Sequence, residues 1–180
     1  MTDTVLRIGG ASGFWGDAAR ATPQLLSVVG LDYIVYDYLA EITMSIMARA
    51  RAKDERKGYA SDFVSSAMKP NLSIIAERGI KVISNAGGVN PEACARALRQ
   101  VITEQGLSLT VACVVGDDLV GSKESMQTSD ITEMFSGAAF PPSEKVLSIN
   151  AYLGAFPIAQ ALTSGADIVV TGRCVDSAVT

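Results

Sequence analysis

The chain of 180 residues contains no histidine. That removes the commonest general base and the commonest metal ligand. It also excludes any Ser-His-Asp or Cys-His nucleophile system built within these residues. Aromatic residues reach only 6%. Basic side chains are outnumbered, 15 Lys and Arg against 19 Asp and Glu, for a net charge of −4. A nucleic-acid protein carries a basic footprint, which is missing here. Cys94, Cys113 and Cys174 make an odd, widely spaced set with no CxxC and no zinc pattern. They read as free, largely buried thiols in a reducing cytoplasm. The first residues lack the basic region and apolar core of a signal peptide. The most apolar long stretch, Val146 to Val170, is broken by Asn150, Pro157, Gln160 and Asp167, so no membrane span is expected.

What is present is 48% hydrophobic, enough to bury a sizeable core and too much for a disordered chain. Short apolar runs alternate with helical segments. Strands are expected at Val5–Ile8, Tyr33–Tyr36, Ile80–Ile83, Leu107–Val115, Val146–Ile149 and Asp167–Thr171. Helices are expected from Asp17 toward Val29, from Tyr38 to Lys53, from Ser61 to Arg78 with Pro70 splitting it, and from Ala151 to Leu162. In the second of these, Leu39, Ile42, Thr43 and Ile46 share a face. Asn90 as cap, Pro91 as first residue and Gly106 as stop mark a further helix. Ser122 to Glu144 reads as a loop with one short helix near Ile131 to Phe135. Asp176 and Ser177 look like a helix opening. The alternation predicts one α/β domain over residues 1–180, with a mostly parallel open sheet flanked by helices. A closed βα barrel is the alternative. The chain stops just after a buried strand, as expected for the N-terminal piece of a longer protein. Such a piece is expected to oligomerise or to associate with its C-terminal part.

Ligands of an open parallel sheet bind beyond the carboxyl ends of its strands. Polar residues gather at those ends: Ser12 and Asp17, then Asp37, Tyr38 and Glu41, then Asn85 and Asn90, then Asp117 and Asp118, then Asn150 and Tyr152, and finally Arg173, Asp176 and Ser177. Caps and turns favour several of the same residue types, and Asn90 is read as a cap. Arg173 is not a cap residue. Beside Gly172 its guanidinium suits capture of a carboxylate or phosphate, or a salt bridge to Asp176. Asp37, Glu41 and Asp117 are the candidate acid/base groups, with Arg173 beside them. Gly10, Ser12 and Gly13 are candidate backbone donors to a phosphate or an oxyanion. Asn85, Asn150 and Asp176 are candidate substrate or anion contacts. Asp117 and Asp118, with Asp37 and Glu41, offer oxygen ligands that Mg²⁺ accepts. Adjacent acids in an extended chain point to opposite sides, so no metal site is assigned.

The segment Gly9-Gly10-Ala11-Ser12-Gly13-Phe14-Trp15-Gly16 places glycines in a GxxGxxG pattern between strand and helix. It resembles the nucleotide loop of extended short-chain dehydrogenases, and Asp37 stands where a ribose-binding acid is expected. Three features oppose that reading. No tyrosine is followed four places on by lysine, Trp15 is bulky within the loop, and Asp17 would repel a pyrophosphate.

Taken together, Arg7–Asp17, Asp37–Met44, Ala48–Arg51, Gly79–Ala93, Gly116–Asp118, Asn150–Ala155 and Ala166–Ser177 resemble the acyclic terpene utilisation family AtuA. Ser122–Pro142 is the least family-like part. The resemblance implies a role in breakdown of citronellol- and geraniol-type compounds through branched acyl-CoA thioesters, with a small-molecule substrate. It supplies no catalytic list. The expectation is hydration, dehydration or lyase chemistry on a CoA thioester. An NAD(P)-dependent oxidoreductase and a non-catalytic subunit of a degradation complex are the alternatives.

Overall fold

A computed structural model describes residues 5–17 and 19–180 of the chain. Residues 1–4, in the segment expected not to be a signal peptide, and position 18 of the expected first helix lie outside them. Five strands form one parallel sheet: β1 (Ile8–Ser12), β2 (Tyr33–Tyr36), β3 (Lys81–Ser84), β4 (Val111–Val114) and β5 (Ile168–Thr171). Their spatial order is β1-β2-β3-β5-β4. The sheet is open, with β1 and β4 as edges, so the barrel alternative is excluded.

The order follows from parallel pairing. Each connection must cross over the sheet, and right-handed crossovers moving in one direction lie on one face. The first three strands step along the sheet, and β4 then skips a place. β5 returns into the gap, which sends its crossover helix to the other face. Accordingly α1 (Ala21–Leu26), α2 (Glu41–Lys53), a π-helical segment (Phe63–Met68), α3 (Leu72–Arg78) and α4 (Pro91–Glu104) pack on the face presenting Ile34, Val82, Ile168 and Val170. Ile158 of α6 (Phe156–Thr163) packs on the opposite face, against Val35, Ile83, Val114 and Val169. Side chains alternate faces along each strand, so the central strands must be apolar on both sides. Ile34, Val82, Ile168, Val169 and Val170 show no solvent exposure. Tyr36, Tyr38 and Phe63 form an aromatic cluster inside the first layer.

Local chemistry sets the helix ends. The Asn90 side chain accepts from the Ala93 N–H at 3.3 Å, with Pro91 opening α4. Gly106, at φ +65°, takes the left-handed turn that ends it. Pro157 falls in the first turn of α6, where its missing N–H costs nothing. This is why that helix begins at Phe156 and not at Ala151.

Other expectations are corrected. β1 begins at Ile8, later than expected, and runs into the glycines, because Gly9 and Gly10 pair with Ile34 and Val35. α1 is shorter than expected. β4 is confined to Val111–Val114. The chain divides around Pro70 as expected, and its first half forms the π-helical segment. α2 starts at Glu41 because Tyr38 and Leu39 are buried in extended chain, with the Tyr38 N–H donating to Asn85 Oδ1 at 2.7 Å. Its buried face is Met44, Met47 and Ala48, while Ile42 and Ile46 are exposed. No helix forms at Ile131 to Phe135. There Glu133 accepts from the Phe135 and Ser136 N–H groups and Gly137 turns the chain. A short helix, α5 (Lys123–Gln127), lies upstream instead. Val146–Ile149 is not a strand. It crosses the carboxyl edge of the sheet, held by Leu119 N–H to Ile149 O at 2.8 Å and a bridge between Asp118 and Asn150. The helix expected to open at Asp176 is one 3-10 turn, Asp176–Val179.

Leu98 lies wholly buried between α4 and the sheet. Leu98→Ala is expected to cost about 2–5 kcal/mol, seen as a lower denaturation midpoint at unchanged slope. An unmoved midpoint would contradict this core assignment.

Candidate functional site

The carboxyl edge carries three polar clusters. The first closes the glycine loop. The Gly13 N–H donates to Asp17 Oδ2 at 3.0 Å, so the loop supplies its own anion. The Ser12 hydroxyl donates to Phe14 O at 3.0 Å. The Trp15 indole N–H donates to Asp62 Oδ1 at 2.6 Å, and the Trp15 backbone N–H to Tyr38 O. Gly10 is exposed on the edge strand. A cavity of about 140 Å³ lies inside the turn, against Tyr36 and Tyr38. These residues do not fit a dinucleotide. The turn is closed by a carboxylate, and β1 is an edge strand far from the point where strand order reverses.

The second cluster is Asp37 with Asn85. The Asn85 amide is fully buried and donates to Asp37 Oδ1 at 2.6 Å while its oxygen holds the Tyr38 N–H. Asp37 thereby fixes the exit of β2 against the exit of β3.

The third cluster sits at the reversal, around the ends of β4 and β5. Asp117 is 2% exposed. Its Oδ2 accepts from the Arg173 backbone N–H at 2.7 Å and from the Asn150 side-chain amide at 2.9 Å. Burial pushes its pKa up, and those two donors pull against the rise. Position 172 must be glycine, because a Cβ there would lie 2.5 Å from both Asp117 carboxylate oxygens.

The carboxylate therefore directs the Arg173 side chain forward, where it is 4% exposed. Its Nη1 donates to Leu39 O at 3.2 Å and to Asp176 Oδ1 at 2.7 Å. Its Nη2 donates to the Tyr152 hydroxyl at 2.9 Å, and the guanidinium lies over the Tyr152 ring at 4.2 Å. The Tyr152 hydroxyl in turn donates to Glu41 Oε1 at 3.0 Å, and Glu41 stands 3.8 Å from Arg173 Nη2. Glu41 is held below its ordinary carboxylate value by its own backbone N–H in the first turn of α2 and then by the Tyr152 hydroxyl, with desolvation opposing them and the Arg173 charge adding a lesser pull downward. These groups line a cleft of about 210 Å³ with Met44, Ser45, Ser148 and Asn150.

Among the residues expected at the site, Glu41, Arg173, Asn150 and Asp176 meet here. Asp117 lies behind them, and Asp37, Asn85, Ser12, Gly10 and Gly13 lie toward the other edge. Tyr152 joins the cleft as its central hydroxyl. Only its place in a strand-end list marked it in the sequence. The four acids do not converge on a cation: Asp118 pairs with Arg51 at 2.8 Å, and the others have the separate partners given above. Among the described residues no group of three or more potential ligands can hold a metal. The cysteines are free, and burial pushes the Cys113 thiol up to about 11 and that of Cys94 higher still, so they are poor nucleophiles.

The family described as acyclic terpene utilisation family protein AtuA matches residues 6–180. The chain belongs to the AtuA family. Membership connects this AtuA chain to acyclic terpene utilisation. No curated protein and no solved structure matches it. No described helix is long and apolar enough to cross a membrane.

The buried Asp117 gives this AtuA protein a pH signature. A carboxyl whose folded pKa is raised binds its proton more tightly in the folded state. Stability from this group therefore rises as pH falls from the raised value toward the unfolded 3.8, and is constant above that window. Asp117→Asn has no such titration. The stability difference is expected to move toward the wild type as pH falls through the window, measured by urea unfolding at a series of pH values. A difference that ignores pH, or moves the other way, would overturn the assignment.

Proposed function

We propose that this AtuA protein is a catabolic enzyme that adds or removes water on a branched, acyclic terpenoid acyl thioester, and that Glu41 and Tyr152 carry the proton transfers. The observation that supports this reading is the Tyr152 hydroxyl, bridged between Arg173 Nη2 at 2.9 Å and Glu41 Oε1 at 3.0 Å. Glu41 is ionised at neutral pH and serves as the base. A carboxylate is too weak a base for an unactivated C–H, so the proton it takes must lie beside a carbonyl, and a thioester supplies that activation.

In the dehydrating direction Glu41 takes the C–H proton adjacent to the carbonyl. Once protonated, Glu41 no longer draws the Tyr152 hydroxyl, which turns and gives its phenolic proton to the departing hydroxyl, and this leaves as water. The negative charge left on the Tyr152 oxygen faces the Arg173 guanidinium. The proton on Glu41 then passes to Tyr152 along their hydrogen bond and restores both groups. The balance is one water lost and one double bond gained, and hydration is the reverse. Arg173 acts as the fixed cation of the pair. Its contacts with Asp176, Leu39 O, Tyr152 and Glu41 engage both terminal nitrogens, which disfavours a role in gripping the substrate. Asp117 and Asp37 are positioning residues that hold the strand exits.

The test uses the full chain with branched 3-hydroxyacyl and 2,3-unsaturated thioesters, reading gain or loss of water by mass spectrometry. Tyr152→Phe and Glu41→Gln are each expected to lower turnover about 10²- to 10⁴-fold with the fold retained. The acid limb of the wild-type pH profile is expected below 4.5, since Glu41 sits under its ordinary value. Wild-type turnover in either variant would overturn the proposal.

A further inference from the structure

The outer face of α2 leads away from the cleft. Glu41 opens the helix, and Ser45, Arg49 and Lys53 follow at intervals of one helical turn, which places them in a row on one face. At 1.5 Å per residue, Arg49 lies about 12 Å and Lys53 about 18 Å along the axis from Glu41. Three cavities follow this row. Ser45 and Ser148 line both the cleft and a second cavity of about 390 Å³. Arg49 lines that second cavity and a third of about 330 Å³, which also touches Ile46, Lys53 and Lys57. The walls change along the way. The cleft is acid/base in character, the middle is walled by Phe140, Val146, Leu147 and Ile149, and Lys145 joins Arg49 there.

Neighbouring cations are neutralised: Arg51 pairs with Asp118, and Arg56 with Asp54. Arg49, Lys53, Lys57 and Lys145 enter no ion pair among the described residues. Lys57 lies within reach of the Asp54 charge, which leaves Arg49, Lys53 and Lys145 as the cations of this surface. On a chain of net charge −4, three such cations around two cavities that share Arg49 concentrate positive charge. One carboxylate would be satisfied by one of them. Two cations one helical turn apart, with a third facing them, suit an anion with several charges, and lysine is a common phosphate partner.

We propose that this end of α2 is a diphosphate subsite. It holds the charged end of the ligand whose reacting carbon lies between Glu41 and Tyr152, with a largely apolar linker in the middle cavity. The proposal rests on the cleft being the reacting centre. The diphosphate belongs to the nucleotide handle of a carrier thioester, since an isoprenoid diphosphate lacks the carbonyl that proton abstraction by Glu41 requires.

The experiment is calorimetric titration of the full chain with inorganic pyrophosphate, coenzyme A and geranyl diphosphate. Pyrophosphate is expected to bind, to weaken with added salt, and to lose about tenfold or more in affinity in the double variant Arg49→Ala, Lys145→Ala. Arg56→Ala, off the row and paired with Asp54, is expected to stay within about twofold. Coenzyme A is expected to bind more tightly than pyrophosphate and more tightly than geranyl diphosphate. Absent pyrophosphate binding, unchanged affinity in the double variant, or coenzyme A failing to exceed either of the other two would each overturn the subsite. Tyr152→Phe separates the two readings. Pyrophosphate binding depends on α2 and persists in it, so full turnover in Tyr152→Phe with intact pyrophosphate binding would sink the cleft assignment alone.

Discussion

The buried carboxylate of Asp117 joins three segments that are far apart in sequence. It follows β4, accepts the backbone N–H of Arg173 after β5, and accepts the amide of Asn150 on the segment returning over the sheet edge. Burying a carboxylate is costly unless donors replace the lost water. Here one oxygen receives two donors, and the raised pKa shows that desolvation is not fully offset. The close approach also dictates its neighbour, since any side chain at position 172 would collide with the carboxylate. The cleft depends on this arrangement because Arg173 takes its direction from the backbone that Asp117 holds.

Arg173 is the second node, and its role follows from charge balance. A guanidinium with 4% exposure needs partners, and it has two carboxylates, a carbonyl and a phenol. Glu41 and Asp176 remain largely exposed, so water screens them and their pairing contributes little to stability. Their value is orientation. The tyrosine hydroxyl can accept from a cation and donate to an anion at once, and so it has one preferred direction for its proton. Along α2 the acid Glu41 opens the helix and the cations Arg51 and Lys53 close it, each at the end that the helix dipole favours for its charge.

Much of this was legible in the residues. Val, Ile and Leu runs marked central strands because a strand covered on both faces tolerates little else. Asn90, Pro91 and Gly106 marked α4 because capping is local chemistry. The strand-end rule brought Glu41, Arg173 and Asp176 into one list, since parallel strands place all their exits on one side, whereas Asn150 entered that list through an expected strand that does not form. Strand order was not legible, as crossovers that skip a place leave no local mark. The periodicity of α2 misled because Leu39 looked like the first residue of an apolar stripe. In the fold it is extended chain, and the methionines face the core. Val146–Ile149 has strand composition, yet it packs across the sheet edge where its apolar side chains line a cavity. Tyr152 was hidden because its hydrogen-bond partners are at positions 41 and 173, which only tertiary structure brings near.

The glycine loop shows how a local pattern can survive while its function changes. After β1 the chain must turn sharply, and Gly16 at φ +96° permits this in any fold of the kind. A dinucleotide fold leaves the loop's N–H groups open to a pyrophosphate beside a central strand. In this chain β1 is an edge, away from the reversal of strand order, and the Asp17 carboxylate takes up the Gly13 N–H. Trp15 then closes over the turn, tied to Asp62. The same glycines that elsewhere admit a phosphate here pack a loop against the aromatic core. The crevice that a parallel sheet offers is instead at β5, where the order of strands reverses and where Asp117 and Arg173 stand.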